Sequence, residues 1–148
     1  WQTGIFLIGI FILVNSLSVT GIVDAAASAI VKIAGENVLL AYVIIVSMSM
    51  LLSAVIDNVP FLVAMLPVVK LVTEQIGVSP YLFYFGLLIG TSVGGNITPV
   101  GASANIVAMG IMKKEGHHVR FGQFVRIGLP FTLVAVGVSA AFVWLFHR

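Results

Sequence analysis

Residues 75–112 read QIGVSPYLFYFGLLIGTSVGGNITPVGASANIVAMGIM and contain no Asp, Glu, Lys or Arg. The run is nearly twice the roughly 20 apolar residues that a helix needs to cross the hydrocarbon layer. It does not read as one uniform helix. Gly94-Gly95-Asn96-Ile97-Thr98-Pro99 stands midway along it. Proline has no N–H to donate and disfavours helical geometry in the residue before it. The expectation is a discontinuous transmembrane helix within 79–114: Tyr81 to Val93, an unwound stretch from Gly94 to Pro99, then Val100 to Met112. Gly77-Val78-Ser79-Pro80 is the turn before it, with Pro80 suited to the first turn of the helix that follows.

Working towards the amino terminus, a second interruption appears. Val38 to Ile56 is strongly apolar; Asp57-Asn58-Val59-Pro60 follows, then Phe61 to Thr73. Pro60 predicts a break with an extended tip. The second leg then has about thirteen residues, roughly 20 Å at 1.5 Å per residue, which is short for a crossing. Region 36–78 therefore reads as a re-entrant helical hairpin with its Asp-Asn tip in mid-membrane. Two ordinary spans joined at the surface are the alternative. Region 1–35 reads as a transmembrane helix, Thr3 to about Leu17, then an interfacial arm from Ile22 to Ile33 carrying Asp24 and Lys32; a plain extension of the first helix is equally open. Region 115–148 is a charged loop, with Phe121 to Arg126 along the interface, and a final span from Leu129 to Phe146.

Composition sets the class. Hydrophobic residues make up 60% of the chain and charged residues 8%, with a mean hydropathy of +1.19. A soluble domain carries roughly 45–50% apolar and about 25% charged residues. The solvent is lipid, and the expected fold is an all-α, polytopic membrane protein, since backbone groups in lipid must be satisfied within the segment. No alternating barrel pattern is visible. The absence of cysteine excludes disulfides and thiol chemistry. A net charge of +2, drawn mostly from one loop, argues against a nucleic-acid partner. The chain opens at Trp1 without a signal peptide's features, which suggests part of a longer polypeptide. Lys113, Lys114, Arg120 and Arg126 gather on one side, so the loop 113–126 is expected in the cytoplasm. Glu74 to Ser79, and with it the entry of the hairpin, is then external, as is Arg148.

Asp57 is the acid flanked by the longest apolar walls. An ionisable group inside a bilayer is costly and normally faces a cavity with a function, which suits binding of Na⁺ or exchange of a proton; an acid on a solvated loop is the plainer reading. Asn58 adds a carbonyl and an amide, and Pro60 holds the tip open. The second break offers Asn96, Thr98, Ser103, Asn105 and carbonyls freed near Gly94, Gly95 and Pro99. Oxygen ligands of this kind match a hard cation, with Na⁺ at Asp57, Asn58, Asn96 and Thr98, while helix N-termini after each break favour an anion. Two interrupted segments in one hydrophobic chain are the pattern of a transporter's midplane site. Gly86 and Gly90 read as a packing stripe; for Gly94-Gly95-Asn96 an unwound site is favoured over packing. Ser47 and Ser49 are expected to bond back to their own helix, with Ser53 the exception, one turn before Asp57. Lys70 and Glu74 read as a surface pair, and His117-His118 as solvated. No cofactor is expected beyond a coupling ion, Na⁺ or H⁺. An intramembrane enzyme lacks a second membrane acid or a nearby base; a structural membrane subunit is the other rival.

Ser53-Ala-Val-Ile-Asp57-Asn58-Val-Pro60, followed by Gly94-Gly-Asn96-Ile-Thr98-Pro99-Val-Gly101-Ala-Ser103-Ala-Asn105, resembles the arsenite permease/sodium–proton antiporter (ArsB/NhaD-type) division of the ion transporter superfamily. Divalent anion–sodium symporters and the melanosomal P protein look like more distant relatives. The resemblance, which covers Val38 to Phe146, implies one of two inverted repeats, with Asp57-Asn58 at an outer hairpin tip and Gly94 to Pro99 in a broken helix. It implies a missing amino-terminal repeat, a homodimer and a small inorganic ion or anion as substrate. Function is expected to be alternating-access transport in the inner or plasma membrane, as Na⁺/H⁺ exchange or arsenite-type oxyanion efflux. Symporter relatives have Ser-Asn-Thr where this chain has Ile56-Asp57-Asn58, which disfavours the alternative, a sodium-coupled citrate or dicarboxylate permease.

Overall fold

A computed structural model describes residues 2–147; Trp1 and Arg148, including the expectation for the latter, lie outside the described residues. The described chain is all-α: α1 (Gln2–Val19), α2 (Ile22–Ala34), α3 (Val38–Ser53), α4 (Asn58–Ile76), α5 (Tyr81–Gly94), α6 (Ser103–Lys114) and α7 (Phe121–His147).

The amino-terminal pair bends by 65° where Thr20 and Gly21 interrupt it, and Gly21 takes a left-handed φ of 77°. α2 is therefore set at an angle to α1 and not a straight extension of it. It buries Val23, Ala27, Ile30 and Ala34, a stripe at helical spacing, and turns Asp24 and Lys32 outward.

The core forms where α3 and α5 lie side by side, closed by α4 on one flank and α7 on the other. The close approach is set by glycine. A methyl placed on Gly90 would stand 2.7 Å from the Val46 carbonyl, and one on Gly94 would stand 2.5 Å from that of Met50. At Gly86 the obstacles are side chains, Tyr42 and Val46. Small residues at four-residue intervals let two backbones meet. The same seam carries Tyr42, whose ring meets Phe83 edge-on at 6.1 Å and whose hydroxyl donates to the Ala140 carbonyl of α7 at 3.1 Å.

Several boundaries differ from expectation for physical reasons. Pro60 does not hold an extended tip; it sits in the first turn of α4, with Val59 also helical. A first-turn N–H has no intrahelical partner, so proline costs nothing there. With that start, and with Glu74 to Ile76 also helical, α4 has 19 residues and is long and apolar enough to cross a membrane; the shorter leg is α3, with 16 residues, roughly 24 Å. α7 runs unbroken for 27 residues through Pro130, so Phe121 to Arg126 continue the final span instead of lying separately. Gln123 helps start it early by accepting the Arg120 N–H at 2.8 Å, half of a capping box. The break after α5 starts one residue later than expected, at Gly95, and ends three residues later, at Ala102.

Candidate ion and substrate site

Pro99 contributes to the second break together with the close-packed Gly95 and Gly101, since a lone interior proline ends neither α4 at Pro67 nor α7 at Pro130. Pro99 cannot donate to the Gly95 carbonyl one turn back, and its ring would clash there. The orphaned Gly95 carbonyl is taken instead by Asn105 Nδ2 at 2.9 Å, and the same amide nitrogen donates to the Thr98 carbonyl at 3.1 Å. One side chain thus ties both margins of the unwound stretch. Both paired glycines are right-handed or helical (Gly94 ends α5, and Gly95 has φ −57°), so conformational freedom is not why they are there. Gly94 is buried packing against α3, contrary to its expected place in an open site. Gly95 makes room for the other break: a methyl on it would meet the Asn58 side chain at 2.8 Å and the Gly101 carbonyl at 2.9 Å.

The first break, Ala54 to Asp57, lies against the second. Ser53 is fully buried, and its hydroxyl lies 2.5 Å from Asn58 Oδ1 and 2.6 Å from the Thr91 carbonyl of α5. One hydroxyl proton serves one acceptor at a time. With it on the Thr91 carbonyl, an amide turned end for end lets Asn58 Nδ2 donate to the serine oxygen. Thr98, buried, donates its hydroxyl to the Ala54 carbonyl and accepts the Gly101 N–H at 3.0 Å. One side-chain bridge, from Thr98 to the Ala54 carbonyl, therefore joins the unwound segment to the hairpin tip, and beside it Ser53 ties the end of α3 to α5. α7 supports the far side, where Gly128 packs directly on the Asn96 carbonyl and Thr132 donates to that of Val93 at 3.5 Å.

The expected site residues divide into two groups. Ser53, Asn58, Gly95, Thr98 and Asn105 are brought together by direct contact. Asn96 is half-buried and Pro99 buried beside them. Asp57 is exposed at the N-cap of α4 with no capping bond from its carboxylate, and Ser103 is exposed at the first turn of α6. The junction thus offers a carboxylate, two helix N-termini and amide oxygens around a tightly bonded floor. Among the described residues, no three His, Asp or Glu side chains group as a metal site. Sequence reasoning missed the Ala54 and Thr91 carbonyls, Gly101 and Gly128; Gly101, close to the Ala54 and Gly95 carbonyls, was legible as a further glycine within the motif. Ser49 was expected to bond back to its helix, yet its buried hydroxyl has no partner among the described residues. Lys70 and Glu74 do pair on the surface, at 3.8 Å.

A family model described as a citrate transporter matches residues 1–148. An uncharacterized transporter of Mycobacterium tuberculosis is 38% identical over 147 residues, 98% of this chain and 34% of the relative. One from Synechocystis is 35% identical over 162 residues, 98% of this chain and 36% of that protein. The human P protein is 30% identical over 154 residues, 99% of this chain and 18% of its own length. The chain spans about a third of the length of the mycobacterial relative. No solved structure matches.

Proposed function

Because this chain belongs to the citrate transporter family, we propose that it forms one half of a secondary active transporter whose ion and substrate site lies where its two helix breaks meet. The observation that carries the reading is the contact between those breaks. Asn58 of the hairpin tip packs on Gly95 of the unwound segment, and Thr98 bonds the Ala54 carbonyl. Interrupted helices facing each other provide what a midplane site needs, namely irregular backbone held in place by protein instead of by water.

In this reading Na⁺ or H⁺ is the coupling ion. Asp57 supplies the charge, and Asn58, Asn96 and Thr98 supply neutral oxygens. The N-termini of α4 and α6 present unpaired N–H groups to a small anion. The family description makes a citrate-type carboxylate the first passenger to test, and the arsenite permease/antiporter resemblance makes oxyanions and Na⁺/H⁺ exchange the next. The acid at position 57 is the specific feature favouring a cation or proton step. Alternating access carries hairpin and broken helix together, in the inner or plasma membrane, with the 113–126 loop in the cytoplasm and a homodimer as the assembly.

The test is transport by the complete protein in proteoliposomes, with Asp57→Asn against the parent. Loss of the Na⁺ or pH dependence, with folding retained, is the expected result. An unchanged ion dependence removes Asp57 from the coupling step.

A further inference from the structure

The elbow between α6 and α7 carries a second arrangement of chemistry, away from the junction of the breaks. α6 ends in a Schellman motif: Gly116 takes a left-handed φ of 85°, its N–H donates to the Lys113 carbonyl at 3.2 Å, and the His117 N–H donates to that of Met112 at 2.9 Å. The chain reverses there and α7 starts at Phe121. Two adjoining clefts result. One, of about 370 Å³, is lined by Lys113, His117, His118 and Arg120. The other, of about 680 Å³, shares both histidines and runs on along Met112, Phe124, Ile127 and Gly128.

No acid lines either cleft; Glu115 is the one acid between Lys113 and Arg126. A hollow that carries two cationic side chains beside Met109 and Val119 therefore adjoins a larger apolar one. A free inorganic anion satisfies only the first, whereas a molecule with a phosphate joined to hydrocarbon satisfies both. α7 is long and apolar enough to span a membrane, so its charged start lies at headgroup level, where basic pockets between helices attract anionic lipid. We propose that this elbow is a binding site for an anionic phospholipid, with its phosphate between Lys113 and Arg120 and an acyl chain along Met112, Phe124 and Ile127. The site rests on membrane embedding alone and is independent of which ion the junction carries. Its apolar end reaches Gly128, the residue on which the Asn96 carbonyl of the break is seated.

The experiment is lipid titration of the purified full-length protein in neutral detergent, followed by native mass spectrometry, with phosphatidylglycerol, phosphatidylcholine and inorganic phosphate as probes. Phosphatidylglycerol is expected to bind in preference to phosphatidylcholine and to resist displacement by phosphate. Lys113→Gln with Arg120→Gln should weaken it about 25-fold, roughly fivefold for each basic side chain near the surface. Lys32→Gln with Lys70→Gln removes the same charge from exposed positions outside the clefts and should leave affinity unchanged. Equal binding of both lipids, equal weakening by the control pair, or no effect of the elbow pair overturns the assignment. Displacement by inorganic phosphate overturns it in favour of a free-anion site.

Discussion

Asn105 shows how much one side chain does here. Its amide nitrogen satisfies two carbonyls, those of Gly95 and Thr98, that Pro99 and the unwound backbone leave without helical partners. Replacing it with Ala strands both acceptors in a half-buried setting, where an unmet group costs about 1–3 kcal/mol. Asn105→Ala should lower the thermal unfolding midpoint of the purified protein, and Asn105→Asp, which keeps the shape but has no N–H to give, should not restore it. Asn105 was legible in the sequence as an oxygen ligand; its bonded role is that of a donor to backbone. The reason is directional, since spacing says that Asn105 is near the break but not which end of its amide faces inward. Ser53 was legible as exceptional. Its acceptors, a carbonyl on α5 and an amide five residues on, depend on tertiary pairing that no local pattern encodes.

The helices themselves followed the apolar runs well, because each run ends at a glycine, a proline or a charge cluster. The two prolines at the breaks separate by position. Pro60 occupies a first turn, where it starts a helix, whereas Pro99 stands among Gly95 and Gly101 in the unwound stretch; the interior Pro67 and Pro130, without such glycines, leave their helices continuous. Pro60→Ala should change stability by less than about 1 kcal/mol and leave transport near the parental rate. Pro99→Ala restores a donor for the Gly95 carbonyl, favours a continuous α5–α6 rod and should abolish transport. Paired flux and stability measurements distinguish the two. The same positional effect explains half of the added length of α4, which begins two residues before Pro60; the other half comes from Glu74 to Ile76, where the charge does not end the helix.

At the scale of the whole molecule, burial is lopsided. α3 and α5 form a dense seam, whereas α6 buries no residue at all and α7 only Gly128, Thr132 and Val136. Ile127, Phe131, Val134 and Leu145 stand open, as expected of a surface facing lipid or further protein. The junction sits at the edge of this dense seam, open on the Asp57 side. Single cysteines at Asn58 and Asn96 of the intact transporter should label with a hydrophilic maleimide, and saturating coupling ion or substrate should slow that labelling several-fold. Labelling indifferent to every ion would mean that the breaks serve packing only. The pattern of two breaks already points to one shared site; which atoms touch, Asn58 on Gly95 and Thr98 on the Ala54 carbonyl, is set by the α3–α5 seam and is not legible from spacing.

That seam has a direction. At Gly86 the bulk of a new methyl falls on the rings and branches of Tyr42 and Val46, which can shrink in exchange, while at Gly90 it falls on main chain and the Ser49 Cβ, and at Gly94 on main chain alone, none of which has volume to give up. Over long sequence drift, positions 42, 46 and 86 are free to trade volume with one another, and positions 90 and 94 have no trading partner. Variation along this one line of contact should fade residue by residue toward the break, a gradient that any deep set of related sequences can confirm or refute without a single protein being purified.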